Sequence, residues 1–332
     1  MAKSLGIVVP DGGYATMHVS ASCEKEIAMP SISRVHRSFL LMESNAIDRF
    51  LHSTKWFRNR RNLRLDNPPA TNVVAEKLTD GVFEIRLDGG ARRNVLGRST
   101  IDRIEHLVFE PPKGTRVIVI TASPPDFCAG YDLVEAARGA PEQLIANEKN
   151  FAPLRTSTLP IIVALQGNVI GGGLELALSA DIRLASPETK FSIPASKLGL
   201  VYSETGIRLV VTALGDSFAR ALFLAGQDVS AESALSMGLV TEIVGRDQLR
   251  ERALKLASSI ASWSLLATSG NRQILDSVAG RISIDTDALH RKSFAPGSDM
   301  IESIERFVAR RSRPAGERTN QQNRFAGVWS RN

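Results

Sequence analysis

The order of apolar segments in this 332-residue chain predicts an α/β fold. Between residues 71 and 260, runs typical of β-strands alternate with stretches whose apolar residues recur at helical spacing, as expected for strands covered by helices. Glycine-rich turns follow two of the strands, and the pattern after residue 200 is mostly helical. We therefore expect a catalytic-size core at 71–260, followed by a helical C-terminal region and polar tail at 261–332.

Each element is predicted from its own pattern. Residues 82–88 alternate apolar and polar side chains, which is typical of a half-buried strand, whereas 116–122 is apolar throughout and indicates a buried one. Further strands are predicted at 160–165 and 181–185. Helices are predicted at 99–109, 171–179, 206–214, 217–225, 231–237, 246–263 and 299–310.

Residues 1–70 form a basic, partly irregular N-terminal extension in this interpretation. They hold ten Lys and Arg against six Asp and Glu, which accounts for +4 of the net charge of +6. An amphipathic helix is predicted at 38–57, and the basic cluster at 55–64 interleaves Trp56 and Phe57 with arginines. Two interpretations of this cluster stay open: a solvated arm, or a segment that contacts the phosphates of a nucleic acid or of coenzyme A.

Composition argues against several classes of protein. Cys23 and Cys128 are far apart without a CxxC pair, and the five histidines show no HExxH spacing, so we expect neither a disulfide framework nor a metal site. No run of about 18 apolar residues indicates a membrane span, and the apolar stretch near the start is too short for a signal peptide. A cytoplasmic protein is the expectation.

Two strand-to-turn junctions are the candidate site. The stretch 126–133 follows one predicted strand, and the glycine-rich stretch 166–176 follows the next. Glycine at the start of a helix leaves N–H groups unobstructed, and the first N–H groups of a helix have no internal partner. Two such junctions together can form an oxyanion hole, although glycines also serve tight strand–helix packing. Asp132 is expected to cap the next helix, and Cys128 to be a small core residue.

The segments FCAGYDL at 127–133 and QGNVIGGGLELALSADIRLA at 166–185 resemble the signature of the crotonase (enoyl-CoA hydratase/isomerase) superfamily. So do RNVL at 93–96 and KLGL at 197–200, and the resemblance extends over about 71–312. It implies a spiral of ββα units with a helical C-terminal trimerisation region, and a homotrimer or hexamer.

The resemblance also implies a substrate and its contacts. The substrate would be a thioester of coenzyme A or of carrier-bound phosphopantetheine, with no permanently bound cofactor. Its carbonyl oxygen would face the N–H groups of Tyr131 and Gly172. Arg93, Ala129 and Phe307 would contact coenzyme A, with a solvated loop or core packing as the alternatives for Arg93 and Phe307.

The sequence departs from the family pattern at one of the positions that transfer protons. The resemblance implies two carboxylates in a hydratase; Glu175 occupies the first position, and Ala195 the second. Tyr202 resembles a tyrosine of methylmalonyl-CoA decarboxylase, and Glu204 is a candidate single base for double-bond migration. Each residue also has a non-catalytic interpretation: Glu175 forms an ion pair within its helix, Tyr202 lines the pocket wall, and Glu204 belongs to a solvated turn.

The function that these residues favour is that of an enoyl-CoA hydratase/isomerase, acting through an enolate. Acyl-CoA decarboxylation that uses Tyr202 is the runner-up. From other classes, an RNA-binding protein with a silent acyl site and a purely structural trimer stay open.

Overall fold

The computed structural model describes residues 70–78, 81–139, 144–145 and 147–311. The predicted helix at 38–57, the basic cluster at 55–64 and the polar tail after residue 311 lie outside the described residues.

Within the described residues, nine strands form two sheets. The strands are β1 (Asn72–Lys77), β2 (Val82–Asp88), β3 (Val117–Ala122), β4 (Ile161–Leu165), β5 (Asn168–Ile170), β6 (Ile182–Ala185), β7 (Lys190–Ser192), β8 (Val229–Ser230) and β9 (Glu242–Ile243).

The larger sheet has the order β1-β2-β3-β4-β6-β9, and the smaller one β5-β7-β8. In the larger sheet β1 runs antiparallel to β2, and every other neighbour is parallel. Parallel neighbours end at the same edge of a sheet. The junctions that follow β3 and β4 are therefore brought to one edge, where the candidate site was expected.

Eleven α-helices accompany the strands in the described part of the chain. They are α1 (Arg98–Phe109), α2 (Leu133–Arg138), α3 (Ala152–Thr156), α4 (Gly172–Leu178), α5 (Glu204–Leu214), α6 (Asp216–Arg220), α7 (Ala231–Ser236), α8 (Arg246–Ala261), α9 (Leu265–Val278), α10 (Thr286–Ser293) and α11 (Asp299–Arg311). The predicted helices are confirmed to within a few residues, except that α6 gives way to a π-helical turn at Ala221–Ala225. Among the elements that the sequence pattern missed are β1, α9 and α10.

The central strands are buried on both faces. Val117 and Val119 of β3 pack in one apolar cluster with Leu249 and Ala253 of α8. Ile118 and Ile120 of β3 point to the other face, where they pack in a second apolar cluster with residues of α1. This double coverage explains why β3 and β4 are continuous apolar runs, as parallel strands usually are.

Strand β2 is more buried than predicted, and the expectation of a half-buried strand was wrong. Glu84 at its centre is only 2% exposed. Its carboxylate accepts hydrogen bonds from the Thr121 hydroxyl (2.8 Å) and from Arg250 Nε (2.8 Å), which α8 supplies. Because these partners satisfy the carboxylate, a polar residue of the alternating pattern can lie inside the protein.

Two features are absent from the described residues. No helix there combines the length and the apolar character that crossing a bilayer requires. Nor do His, Cys, Asp and Glu residues there form a group of three that could hold a metal ion.

Candidate functional site

The two glycine-rich junctions lie side by side. Cys128 pairs with Val169 of β5 in a parallel bridge, in which Cys128 N–H donates to the Asn168 carbonyl (3.1 Å) and Ile170 N–H to the Cys128 carbonyl (3.0 Å). On its other side the same segment pairs with Leu96, whose N–H donates to the Gly130 carbonyl (2.8 Å). The backbone before Tyr131 is thus held from both sides. Cys128 is buried, as predicted.

Two backbone amides at this contact have no partner in the part of the chain that the structure describes. Within the described residues, neither the Tyr131 N–H nor the Gly172 N–H donates a hydrogen bond, whereas the neighbouring Gly171 N–H donates to the Ser192 carbonyl (2.8 Å). Gly130 has φ +97°, and a Cβ added to it would lie 2.9 Å from the Ile170 oxygen and 3.8 Å from the Gly172 nitrogen. Two unpaired donors on adjacent backbone segments are what an oxygen that becomes negative requires.

Glycine is needed at 172 and 173 for close packing as well. A Cβ at Gly172 would lie 2.8 Å from two ring atoms of Tyr131, and one at Gly173 would lie 2.7 Å from the Cβ of Cys128. The start of α4 therefore rests directly on residues 128–131. Tight packing and an unobstructed amide are two consequences of the same glycines.

Glu175 lies on α4 with its side chain inside the protein, 3% exposed. Its Oε2 accepts a hydrogen bond from the Tyr131 hydroxyl (2.8 Å). Burial raises the pKa of Glu175 to about 7, although the Tyr131 hydrogen bond and the charge of Arg155 act in the opposite direction. A carboxyl group with a pKa near neutral pH can both take and return a proton.

Two further residues lie around the Tyr131–Glu175 pair, and the sequence pattern gave no signal for them. Asn150 is buried and donates to the Tyr131 hydroxyl (3.2 Å). Arg155 of α3 donates to the Asn150 carbonyl (2.6 Å), and its charge lowers the pKa of Glu175. The Tyr131 hydroxyl was missed too, since only the amide of this residue was predicted to act.

Tyr202 turns its hydroxyl end into the protein. Its oxygen is buried beside the Glu175 carboxyl group but makes no hydrogen bond of good geometry within the described residues. Its ring packs edge-on against Phe223 with centroids 5.3 Å apart. Burial, and after it the negative charge of Glu175, raise the pKa of Tyr202 well above its ordinary value. Tyr202 therefore stays protonated, and a buried donor without an acceptor is a candidate for contact with a bound molecule.

Glu204 does not join this group. It begins α5 with its side chain 77% exposed, and it pairs with Arg208 one turn further along the helix. Its backbone N–H donates to Glu148 Oε1 (2.7 Å). Of the three candidates for proton transfer, the structure brings Glu175 and Tyr202 together and leaves Glu204 on the surface.

The position of the second expected carboxylate is apolar. Ala195 is buried three residues after Ser192, whose carbonyl accepts the Gly171 N–H. An alanine brings no group that can exchange a proton. Glu175 is consequently the buried carboxylate that contacts Tyr131 in the described part of the site.

Two of the three residues expected to contact coenzyme A, Ala129 and Arg93, lie at the first glycine-rich junction. Ala129 is half-buried, and its N–H donates to the Arg93 carbonyl (2.9 Å). The Arg93 side chain is 61% exposed, with Nε 3.4 Å from Asp126 Oδ2. Asp132 accepts from the N–H groups of Val134 and Glu135 and so caps α2, as predicted. The side chain of Phe307 lies outside the described residues.

Comparison with known proteins agrees with this architecture. Residues 77–315 match the family described as enoyl-CoA hydratase/isomerase. The probable enoyl-CoA hydratase echA6 of Mycobacterium bovis is 34% identical over 167 residues, which cover 49% of this chain and 68% of that protein. The 2,3-dehydroadipyl-CoA hydratase of Escherichia coli is 29% identical over 241 residues, or 70% of this chain and 93% of the relative.

The fold has counterparts among solved structures. A probable enoyl-CoA hydratase/isomerase from Mycobacterium abscessus superimposes with a TM-score of 0.63 at 25% identity, covering 72% of this chain and 96% of the other. The resemblance seen in the sequence, and the crotonase fold that it implied, are confirmed. Since the family match spans most of the residues between β1 and α11, the chain belongs to the enoyl-CoA hydratase/isomerase family.

Proposed function

We propose that the chain is an enzyme of the enoyl-CoA hydratase/isomerase type that acts on acyl thioesters through an enolate. The amides of Tyr131 and Gly172 would hold the enolate oxygen, and Glu175 would exchange the proton. The observation that carries this proposal is the pair of unpartnered amides on adjacent backbone segments, with a buried carboxyl group three residues further along α4.

The chemistry follows from where charge develops. When a proton leaves the carbon beside a thioester carbonyl, the electron pair of that C–H bond delocalises onto the carbonyl oxygen. Donors already aimed at this oxygen contribute about 3 kcal/mol each to its stabilisation. The ionised form of Glu175 takes the proton, and it can return the proton to a different carbon of the same enolate. That sequence of steps is a double-bond isomerisation, and it requires no resident cofactor.

Isomerisation fits this site better than hydration does. Water addition in the manner of a two-carboxylate hydratase needs a second carboxylate, and position 195 holds a buried alanine. The pKa of Glu175, about 7, suits a single group that serves as base and then as acid. Glu204 is left out of the proposal because its side chain is exposed and paired with Arg208.

Decarboxylation is the second candidate, and one observation favours it. The Tyr202 hydroxyl is a buried donor without an acceptor among the described residues, so it can donate to a carboxylate on the acyl group. Loss of carbon dioxide yields the same enolate without a base. The oxyanion donors would then be Tyr131 and Gly172, as before.

The finer features of binding and assembly are also proposals. Arg93 and Ala129 would contact coenzyme A, and Arg93 has the charge and exposure to meet a phosphate. A homotrimer or hexamer would cover apolar surface such as Val201, which is 89% exposed, and Ile207 and Val211 on α5. A chain with only two cysteines suits the reducing cytoplasm.

Liquid chromatography coupled to mass spectrometry, applied to the full chain with four thioesters, tests the proposal, because chromatography separates isomers of equal mass. We expect a 3-enoyl-CoA to give its 2-enoyl isomer, and butyryl-CoA in heavy water to gain deuterium beside the carbonyl. Loss of carbon dioxide from methylmalonyl-CoA would favour the second candidate, and a water adduct of crotonyl-CoA would favour hydration. No turnover and no deuterium uptake, with salt-sensitive RNA retention that deletion of residues 1–70 removes, would replace the enzyme with an RNA-binding protein.

A further inference from the structure

A chain of hydrogen bonds leads from the surface to the carboxyl group of Glu175. Arg98 Nη1 donates to Asn150 Oδ1 (2.8 Å), Asn150 Nδ2 donates to the Tyr131 hydroxyl (3.2 Å), and that hydroxyl donates to Glu175 Oε2 (2.8 Å). Asn150, Tyr131 and Glu175 are all buried. The chain joins α1, the segment before α3, the first glycine-rich junction and α4.

The direction of each hydrogen bond is fixed by its neighbours. A guanidinium group only donates, so Asn150 must turn Oδ1 toward Arg98. A backbone carbonyl only accepts, so Asn150 must turn Nδ2 toward Leu144, whose oxygen is 2.7 Å away. The Asn150 amide therefore donates to the oxygen of Tyr131, and the single hydroxyl proton of Tyr131 is left for Glu175.

This arrangement makes the two oxygens of Glu175 different. Oε2 accepts the proton of Tyr131, whereas no described residue, Tyr202 included, donates to Oε1 with good geometry, so Oε1 is the oxygen left to exchange a proton with a substrate. The carboxyl plane is also held, because Tyr131 is itself confined by Asn150 and by the start of α4, where its ring fills the space beside Gly172.

We propose that the hydroxyl of Tyr131, supported by Asn150 and Arg98, is a positioning group that presents Oε1 of Glu175 to the substrate. This inference rests on the proposed function, since it assigns Glu175 the proton transfer. Tyr131 then has two separate functions: its amide binds the oxyanion, and its side chain orients the base.

Other charged and titratable groups also face Glu175. Arg155 lies on α3, and Tyr202 lies two residues before α5. Glu148 belongs to the segment that also carries Asn150. Arg155 is held by the Asn150 carbonyl and Glu148 by the backbone at the start of α5, so neither depends on the Tyr131 hydroxyl. Removal of that hydroxyl should change one interaction of Glu175 and leave these in place.

Tyr131→Phe is the direct test, because phenylalanine keeps the backbone amide and the ring but has no proton to donate. We expect kcat for the isomerisation to fall about tenfold or more with KM nearly unchanged, as for a group that affects only the chemical step. We also expect the acidic limb of the kcat–pH profile to move upward by about one pH unit, the effect of losing a hydrogen bond to a charged group. Asn150→Ala, which removes only the support, should give a smaller change in the same direction.

Thr121→Val is the matched control. Thr121 is likewise buried and likewise donates to a buried carboxylate, that of Glu84, outside the site (2.8 Å). It should lower stability as Tyr131→Phe does, yet leave the pH profile in place. If the loss of a buried hydroxyl acted only through stability, the kcat–pH profile would stay in place in Tyr131→Phe as well as in Thr121→Val.

Infrared titration without substrate separates this inference from the proposed function. The carbonyl band of protonated Glu175, assigned by its absence in Glu175→Gln, should titrate at higher pH in Tyr131→Phe than in the wild type. If this shift occurs while no thioester turns over, the positioning of Glu175 is supported and the proposed function fails. Identical titration in the two proteins overturns the positioning, with or without turnover.

Discussion

Two glutamates in this protein have equally little exposed surface, but Glu175 lies deeper than Glu84 and the two differ in what they can do. Glu84 of β2 is 2% exposed and accepts a hydrogen bond from the Thr121 hydroxyl (2.8 Å). Glu175 of α4 is 3% exposed and accepts one from the Tyr131 hydroxyl (2.8 Å). Burial and one hydroxyl donor are therefore common to both sites.

The difference lies in the cation and in the depth of burial. Burial by itself would raise the pKa of Glu84, but two hydrogen bonds from Arg250, together with that from Thr121, outweigh it, and the pKa is lowered. Glu175 has no such partner within the described residues; Arg155 acts on it only through its charge, so burial dominates and the pKa rises to about 7. The same side chain forms a structural ion pair in one place and is a candidate for proton exchange in the other.

Glu175→Gln should have the largest effect, on turnover. The amide cannot exchange the proton, so we expect the isomerisation rate to fall about 10³-fold, within the usual contribution of a general acid–base group. Glu84→Gln, the matched change at the other buried carboxylate, should leave the rate nearly unchanged. Equal losses in the two variants would contradict the distinction, and a steady-state assay of both decides it.

The pH dependence of stability should differ in sign between the two glutamates. The pKa of Glu175 is raised from 4.5 to about 7, so the folded state binds the proton more tightly and stability is lost as the pH rises across this range. The loss should be on the order of 3 kcal/mol and should be absent in Glu175→Gln. The pKa of Glu84 is lowered from 4.5, so its contribution is present above that pH and lost as the pH falls below it.

Urea denaturation of the wild type and of Glu175→Gln at several pH values measures the pH-dependent contribution of Glu175 to the free energy of unfolding. We expect the two stability curves to diverge between the unfolded and folded pKa values of Glu175 and to run parallel outside them. Parallel curves throughout would mean that Glu175 is ionised normally in the folded protein.

Gly172→Ala should disturb the site through packing. The added Cβ would lie 2.8 Å from the Tyr131 ring, so the ring and the start of α4 must separate. We expect turnover to fall about 10²-fold, as on loss of one oxyanion donor. Gly245→Ala is the control, since a Cβ there meets nothing within 4 Å. Similar losses in both variants would show that the packing against Tyr131 is irrelevant.

Arg250→Gln should have the smallest effect and act on stability alone. The arginine is half-exposed, so solvent screens the pair, and we expect a loss of about 1 kcal/mol at neutral pH with turnover unchanged. Thermal unfolding of this variant at neutral and at acidic pH should show the difference from the wild type shrinking as Glu84 becomes protonated.

Much of the fold could be predicted because its signals are local. The apolar runs of β3 and β4 and the glycines around Gly172 each stand within a few residues of sequence, and the structure confirms the elements they predicted. The burial of β2 could not be predicted, because the partner of Glu84 is 166 residues away on α8. Short strands such as β8 have too few residues to show a period.

The site was predictable only in part for the same reason. The amide of Tyr131 and the carboxyl of Glu175 belong to recognisable motifs, and the structure brings these motifs together. The hydroxyl of Tyr131 was overlooked because its contact with Glu175 depends on how two junctions pack, 44 residues apart. Asn150 lies in a stretch without periodicity, so nothing in the sequence distinguished it from a loop residue.

The central claim is that the amides of Tyr131 and Gly172 polarise a thioester carbonyl, and isotope-edited infrared spectroscopy tests it most directly. Butyryl-CoA labelled with ¹³C at the carbonyl binds without a completed reaction, so its C=O stretch reports on the donors alone. We expect the band to move to lower frequency on binding to the wild type, and to move less with Gly172→Ala. A carbonyl that binds with the frequency it has in water would contradict the account.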